Sequence, residues 1–169
     1  IKVVQHKKNC SLLEARRTGF LNSSGKFITF VDSDDELLPN ALSVMYENAI
    51  KNNADIVHCN SQITFKDDEK DFIRQEITSK VQQVKDGILE NSEIMHSFMF
   101  KSENSHNGFV WAKLYSRQLV EKVFETLPMI YCTLGEDLCL SFFFNLFAKK
   151  YVGLTQTKVY KYNYVTGIT

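Results

Sequence analysis

Apolar positions along the chain change period several times, and each change marks an element. Residues 1–6 form a short, β-branched run of strand type, and Ser11 with Glu14 has capping-box spacing ahead of a helix over about 11–23. Gly25 breaks that pattern, and 27–31 reads as a continuous apolar strand of the kind buried on both faces of a parallel sheet. Pro39 suits the first turn of a helix. Leu42, Met45, Tyr46 and Ala49 share one face of it before Asn52 and Asn53 end it, and 55–59 is the next strand.

The second half is less regular. The run KDDEKD (66–71) reads as a solvated turn between two short strands, and 86–100 has helical spacing in Ile88, Leu89, Ile94, Met95, Phe98 and Met99. The polar segment 101–107 is expected to be a mobile flap. An aromatic strand, FVWAKLY (109–115), leads into a helix capped by Ser116, and GEDLCLSFFFNLFAKK into a helix whose acidic start and basic end suit its dipole. Alternation in the tail predicts two short strands. Strands interleaved with helices define an α/β layered domain, with right-handed crossovers between parallel strands and ligands at the strands' C-terminal ends.

Composition narrows the class. The 169 residues, 44% hydrophobic, fit one domain (1–169) with a substantial core. Twenty basic residues balance twenty acidic ones, so no global cationic field draws nucleic acid or an anionic membrane. Cys10, Cys59, Cys132 and Cys139 form no CxxC pair and read as reduced thiols. No apolar run approaches the ~20 residues of a membrane span, and no signal-type start is present, so the expected setting is cytoplasmic. His6, His58, His96 and His106 lack zinc-site spacing and read as structural or exposed, with His106 placed on the flap. Phe142, Phe143, Phe144 and Phe147 surround their helix and call for burial against the sheet or a partner chain.

The candidate chemistry lies in FITFVDSDDELLP, where Asp32, Asp34 and Asp35 repel one another at a strand end. They can serve a purely structural turn. A calcium loop starting at Asp32 is excluded, because Leu37 and Ser43 stand where it needs glycine and glutamate. The alternative is a Mg²⁺ or Mn²⁺ site for a diphosphate, with one or two carboxylates and the phosphates as ligands.

In order and spacing, four blocks resemble the inverting glycosyltransferases of family 2, which have the GT-A fold: NCSLLEARRTGFLNSSG, GKFITFVDSDDELLP, VWAKLYSRQLV, and GEDLCLSF followed by KVYKYNYVTGIT. Ser11 and Arg17 depart from the glycine and asparagine of the first block, while Arg16 stays in register. The resemblance implies a GT-A layered sheet with helices on both faces, N-terminally truncated: the chain looks as if it begins near the family's third strand, without the opening strands that hold the nucleotide base. It implies a nucleotide-diphosphate sugar donor, a UDP-sugar, and transfer with inversion to a glycan or lipid-linked saccharide acceptor in cell-surface polysaccharide synthesis. The same resemblance makes Asp34 the direct metal ligand, with Asp32 on the ribose or a metal-bound water and Asp35 a helper. Arg16 lies over the nucleotide phosphates, and Arg17 joins it or is a surface residue. Asp137 matches the catalytic base. Glu136 orients the acceptor or, like Asp137, is a favourable charge at a helix start. Trp111 and Lys113 are candidate acceptor contacts, their alternatives being core and surface.

The alternative to that enzyme is a non-catalytic fragment of one, lacking the base pocket; in that case strands missing from a parallel sheet would leave an edge open to homo-oligomers. A lipid-linked acceptor would bring the protein to the inner face of a membrane as a peripheral partner, though no basic amphipathic helix is present to hold it there.

Overall fold

The structure, a computed structural model, describes residues 1–100, 102, 105–132 and 134–164. Their elements run α1 (Ser11–Leu21), β1 (Phe27–Ile28), β2 (Glu36–Leu37), α2 (Ala41–Asn52), β3 (Ile56–Thr64), α3 (Asp71–Val81), β4 (Gly87–Glu90), α4 (Ser92–Met99), β5 (Lys113–Ser116), α5 (Arg117–Thr126), α6 (Glu136–Phe147) and β6 (Lys150–Asn163).

One sheet joins all six strands in the order β1-β5-β3-β6-β2, with β4 also on β6. It is mixed: β3 and β6 run parallel, whereas β1–β5, β3–β5, β2–β6 and β4–β6 are antiparallel. The parallel sheet expected from the strand-helix alternation is therefore confined to the central pair. Successive residues point to opposite faces, and the core divides accordingly. Ile56, Tyr115 and Tyr151 face Leu13 and Phe20 of α1, Val120 and Val123 of α5 and Leu140 and Phe144 of α6. Val57, Leu114 and Val152 face Met45 and Ala49 of α2 and Val81 of α3. Helices cover both faces, as anticipated.

Several elements differ from the sequence pattern. Residues 1–6 form no strand and are mostly exposed. Residues 86–100 split into β4 and α4 because Asn91 adopts φ 52°, where a helix cannot continue. The charged run 66–71 leads into helix α3 and not a strand. The tail is one 14-residue strand. The capping box does not form: Cys10 is the N-cap and Glu14 pairs instead with Arg17 at 3.2 Å. Ser11 has φ 76°, a left-handed conformation that favours the glycine it replaces in the resemblance. Gly153 of β6 is needed for space, since a Cβ there would lie 1.7 Å from the Lys85 carbonyl oxygen. Ser116 caps α5 as predicted, accepting from the Leu119 amide at 3.3 Å.

The pairing of β3 with β6 changes register midway. Cys59 lies opposite Leu154 but Asn60 opposite Lys158, which leaves 155–157 outside the ladder. That excursion is pinned at its start, where Asn60 Nδ2 donates to the Thr155 carbonyl at 2.8 Å and Thr155 donates to Asp86. Beyond it, β6 continues as the neighbour of β2, next to the acidic turn.

Candidate active site

The acidic residues lie between β1 and β2, in a tight turn closed by the Asp35 amide donating to the Asp32 carbonyl at 3.2 Å. The far half of β6 holds this turn. The Tyr160 hydroxyl donates to Asp35 Oδ2 at 2.8 Å and accepts from the Asp32 amide at 3.1 Å. The Asn163 amide donates to Asp35 Oδ1 at 2.8 Å, and Asn163 Nδ2 to the Asp34 carbonyl at 2.7 Å. Burial raises the pKa of Asp35, the Asn163 amide and the Tyr160 hydroxyl pull it back, and the Asp34 charge raises it further. Both Asp35 oxygens are thus committed within the protein. The exposed Asp34 carboxylate, in contrast, makes no hydrogen bond or ion pair among the described residues.

Arg16 joins this turn to α6. Its guanidinium donates through Nη2 to Asp32 Oδ1 at 3.1 Å and through Nη1 to Asp137 Oδ1, bringing together positions 121 apart in sequence. The Arg16 side chain is only 5% exposed and is held by ion pairs to both carboxylates. Burial raises Asp32, the Arg16 charge and hydrogen bond oppose the rise, and the charges of Asp137 and Asp35 add to it. Asp137 stands in the first turn of α6, and its second oxygen accepts a long bond of 3.4 Å from the Val110 amide. Glu136 beside it is half-buried and makes no bond among the described residues. Arg17 points elsewhere. It donates to the carbonyls of Phe124, Leu127 and Pro128 and ties α1 to the end of α5.

The two candidate acceptor contacts lie inside the fold. Trp111 is 3% exposed and stacks on Phe109, Tyr160 and Tyr162 with ring centroids 4.7–5.1 Å apart. Lys113 is 4% exposed, and its ammonium donates to Asn107 Oδ1 at 2.9 Å and to the carbonyls of Asn107 and Phe109. Burial pushes its pKa down to about 7, with the Asp137 charge opposing. The expected flap is in part a packed segment as well, because Ser105, His106 and Asn107 are buried, while Lys101, Glu103 and Asn104 lie outside the described residues. His106 Nε2 meets Asn145 Oδ1 at 2.9 Å and Nδ1 meets Ser97 Oγ at 3.0 Å.

A cleft of about 520 Å³ is lined by Phe98, His106, Asn107, Phe109, Leu138 and Phe142. A larger one, about 760 Å³, lies around Lys26, Asp55, Glu90 and Lys149. It sits where β3 and β6 begin, the end of a parallel pair opposite to the one at which ligands collect.

A divalent cation fits the donors present. No group of three or more His, Cys, Asp and Glu side chains forms a cage among the described residues. Mg²⁺ and its like do not need one, since one or two carboxylates, waters and substrate phosphates complete the octahedron. Asp34, and the Asp32 oxygen that Arg16 leaves unbonded, are such donors.

Sequence reasoning missed Tyr160 and Asn163, although the alternation in KVYKYNY places Tyr160 and Tyr162 on one face. The Val110 amide carried no sequence signal.

The mixed sheet, its helices on both faces and a carboxylate turn beside the parallel pair define an α/β fold of the GT-A glycosyltransferase class. Residues 1–124 match the profile described as Glycosyl transferase family 2, and the chain belongs to that family. It is 25% identical over 160 residues to YibD of Escherichia coli, described as an uncharacterized glycosyltransferase, covering 93% of this chain and 43% of that protein. It is 31% identical over 157 residues to the glycosyltransferase GlyA of Streptococcus pneumoniae, covering 89% and 21% respectively. The chain therefore spans less than half the length of these relatives. Among solved structures, residues 1–349 of S. aureus TarS superpose with a TM-score of 0.70 at 17% identity, over 96% of this chain and 43% of that one. TarS has also been solved with UDP-GlcNAc, in a form that matches with a TM-score of 0.63 at 18% identity, over 98% of this chain and 43% of that one. No helix of the described residues is long and apolar enough to cross a membrane.

Proposed function

We propose that this chain carries the metal-diphosphate and base side of an inverting glycosyltransferase, which moves a sugar from a UDP-sugar to a hydroxyl of a glycan or lipid-linked saccharide. The observation that carries the reading is the Arg16 bridge. It sets Asp32, in the carboxylate turn, and Asp137, at the start of α6, on one guanidinium, so that the donor and acceptor sides meet at one place.

In the reaction the acceptor oxygen forms a bond to the anomeric carbon, the bond from that carbon to the diphosphate breaks, and the acceptor proton must leave. Asp137 Oδ2, whose one bond among the described residues is the long one from the Val110 amide, would take that proton. Arg16 fixes the carboxylate from its other side and screens it from Asp32. Asp34 and Asp32 would hold Mg²⁺ or Mn²⁺, whose charge neutralises the departing diphosphate. Glu136, without a bond among the described residues and next to the base, is the group for orienting the acceptor. Trp111 and Lys113 support the wall of the acceptor side from within and do not touch the acceptor. The UDP donor is favoured by the structural likeness to TarS, solved with UDP-GlcNAc. In this reading the enzyme works in surface polysaccharide synthesis on the cytoplasmic side of a membrane.

Calorimetric titration of UDP with and without Mn²⁺, repeated with Asp34→Ala, tests the reading. Manganese-dependent binding that disappears in the variant supports it. A folded wild-type chain that binds no UDP at millimolar concentration, with or without Mn²⁺, overturns it for this chain.

A further inference from the structure

We propose that Tyr160, with Asn163, is a positioning residue of the metal-diphosphate site, and that Asp35 is the anchor it grips and not a metal ligand. This inference rests on the reading above and adds the device that aims the open carboxylate.

A turn of three neighbouring carboxylates is electrostatically strained, so an outside support must decide which of them faces the ligand. The far half of β6 supplies it. Tyr160 is fully buried, its ring flat against Trp111 at 4.8 Å and 14°, so its hydroxyl has one place to go. There it bonds two points of the turn at once, the Asp35 carboxylate and the Asp32 amide. Asn163 bonds two more, the second Asp35 oxygen and the Asp34 carbonyl. With both oxygens occupied by protein donors, Asp35 has no oxygen free of them, and Asp34, between the gripped residues, is left facing outward. The support extends to the opposite wall, because the indole that braces Tyr160 also stacks on Phe109, whose carbonyl accepts from Lys113. An aromatic stack thus connects the metal turn with the segment whose Val110 amide touches Asp137.

The test titrates Mn²⁺ at fixed UDP into the wild type, Tyr160→Phe and Tyr162→Phe, following heat and the electron-spin resonance signal of free Mn²⁺. Tyr160→Phe removes one hydroxyl and leaves every carboxylate in place. We expect it to raise the Mn²⁺ concentration at half-saturation at least fivefold. Tyr162→Phe, whose ring stacks on the same indole but whose hydroxyl does not hold the turn, should match the wild type. If Tyr160→Phe does not fold, Asn163→Ala carries the test, with a rise of at least threefold expected from the lost Asp34 carbonyl bond. A half-saturation within twofold of wild type in the folded variant overturns the inference while leaving the proposed function standing. Wild-type protein that binds neither Mn²⁺ nor UDP overturns both.

Discussion

Acid should destabilise this protein in part through His106, and replacing that residue should remove its share of the sensitivity. Asn145 Nδ2 donates to the Ser141 carbonyl at 2.7 Å, so Asn145 presents its oxygen to His106, and Nε2 of the imidazole must carry the proton. Nδ1 then accepts from the Ser97 hydroxyl, and the ring is satisfied while neutral. Burial, with the nearby Lys113 charge, pushes its pKa from 6.5 down to about 4, against a smaller opposing effect of the Asn145 bond. Between these values the unfolded chain holds a proton here and the folded one does not, so stability is full above pH 6.5 and declines as pH falls toward 4. At pH 5 the two pKa values imply a loss of roughly 2 kcal/mol. With a urea m-value of about 2 kcal/mol/M, that is a midpoint shift of about 1 M. The assay compares urea unfolding of wild type and His106→Gln at pH 7.5 and 5.0. The variant starts lower, by about 1–3 kcal/mol for its disturbed hydrogen bonds. Its further drop between the two pH values should be smaller than the wild type's by that 1 M. Asp32, Asp35, His58 and Lys113, whose pKa of about 7 falls inside this window, are present in both proteins, so the comparison reads the difference that His106 makes. Midpoints that move in parallel would refute the argument.

Two further outcomes follow from the site. Arg16→Met leaves Asp32 and Asp137 facing each other without their shared cation, which should cost roughly 2–4 kcal/mol at pH 7 and less at pH 4, where protonation of Asp32, whose pKa burial raises, relieves the repulsion; denaturant midpoints at the two pH values check it. Trp111→Ala should lower stability by about 3–5 kcal/mol because it empties a stacked, buried position, whereas a surface sugar platform would leave the melting temperature nearly unchanged.

Helices were legible in the sequence from end signals, charge placement or, in α2, a shared apolar face: α1, α2, α5 and α6 all appear near their expected places. The misreadings share a cause. Ile88 and Leu89 fit a helical stripe as well as a strand, and only the backbone turn at Asn91 separates the two. The tail reads as two strands because its pairing slips beside β3 and not because the chain turns back. In the site, motif order pointed to Asp32, Asp34 and Asp137 as a set, and the fold places Asp32 and Asp137 on one arginine. Trp111 and Lys113 were read as contacts because aromatic and cationic side chains suit sugars, but residue type alone does not say which way a side chain points from a strand. Tyr160 escaped notice because its partner lies 125 positions away.

The residues that leave the ladder at 155–157 divide β6 into two separately registered rulers, one measured against β3 and β4 and the other against β3 and β2. Added chain at that excursion would lengthen a loop without sliding Tyr160 or Asn163 past the turn they grip. The same number of residues inserted after Lys158 would shift every grip at once. A fluorophore-bearing loop grafted at 156 would therefore report from the edge of the site while leaving its carboxylates in place.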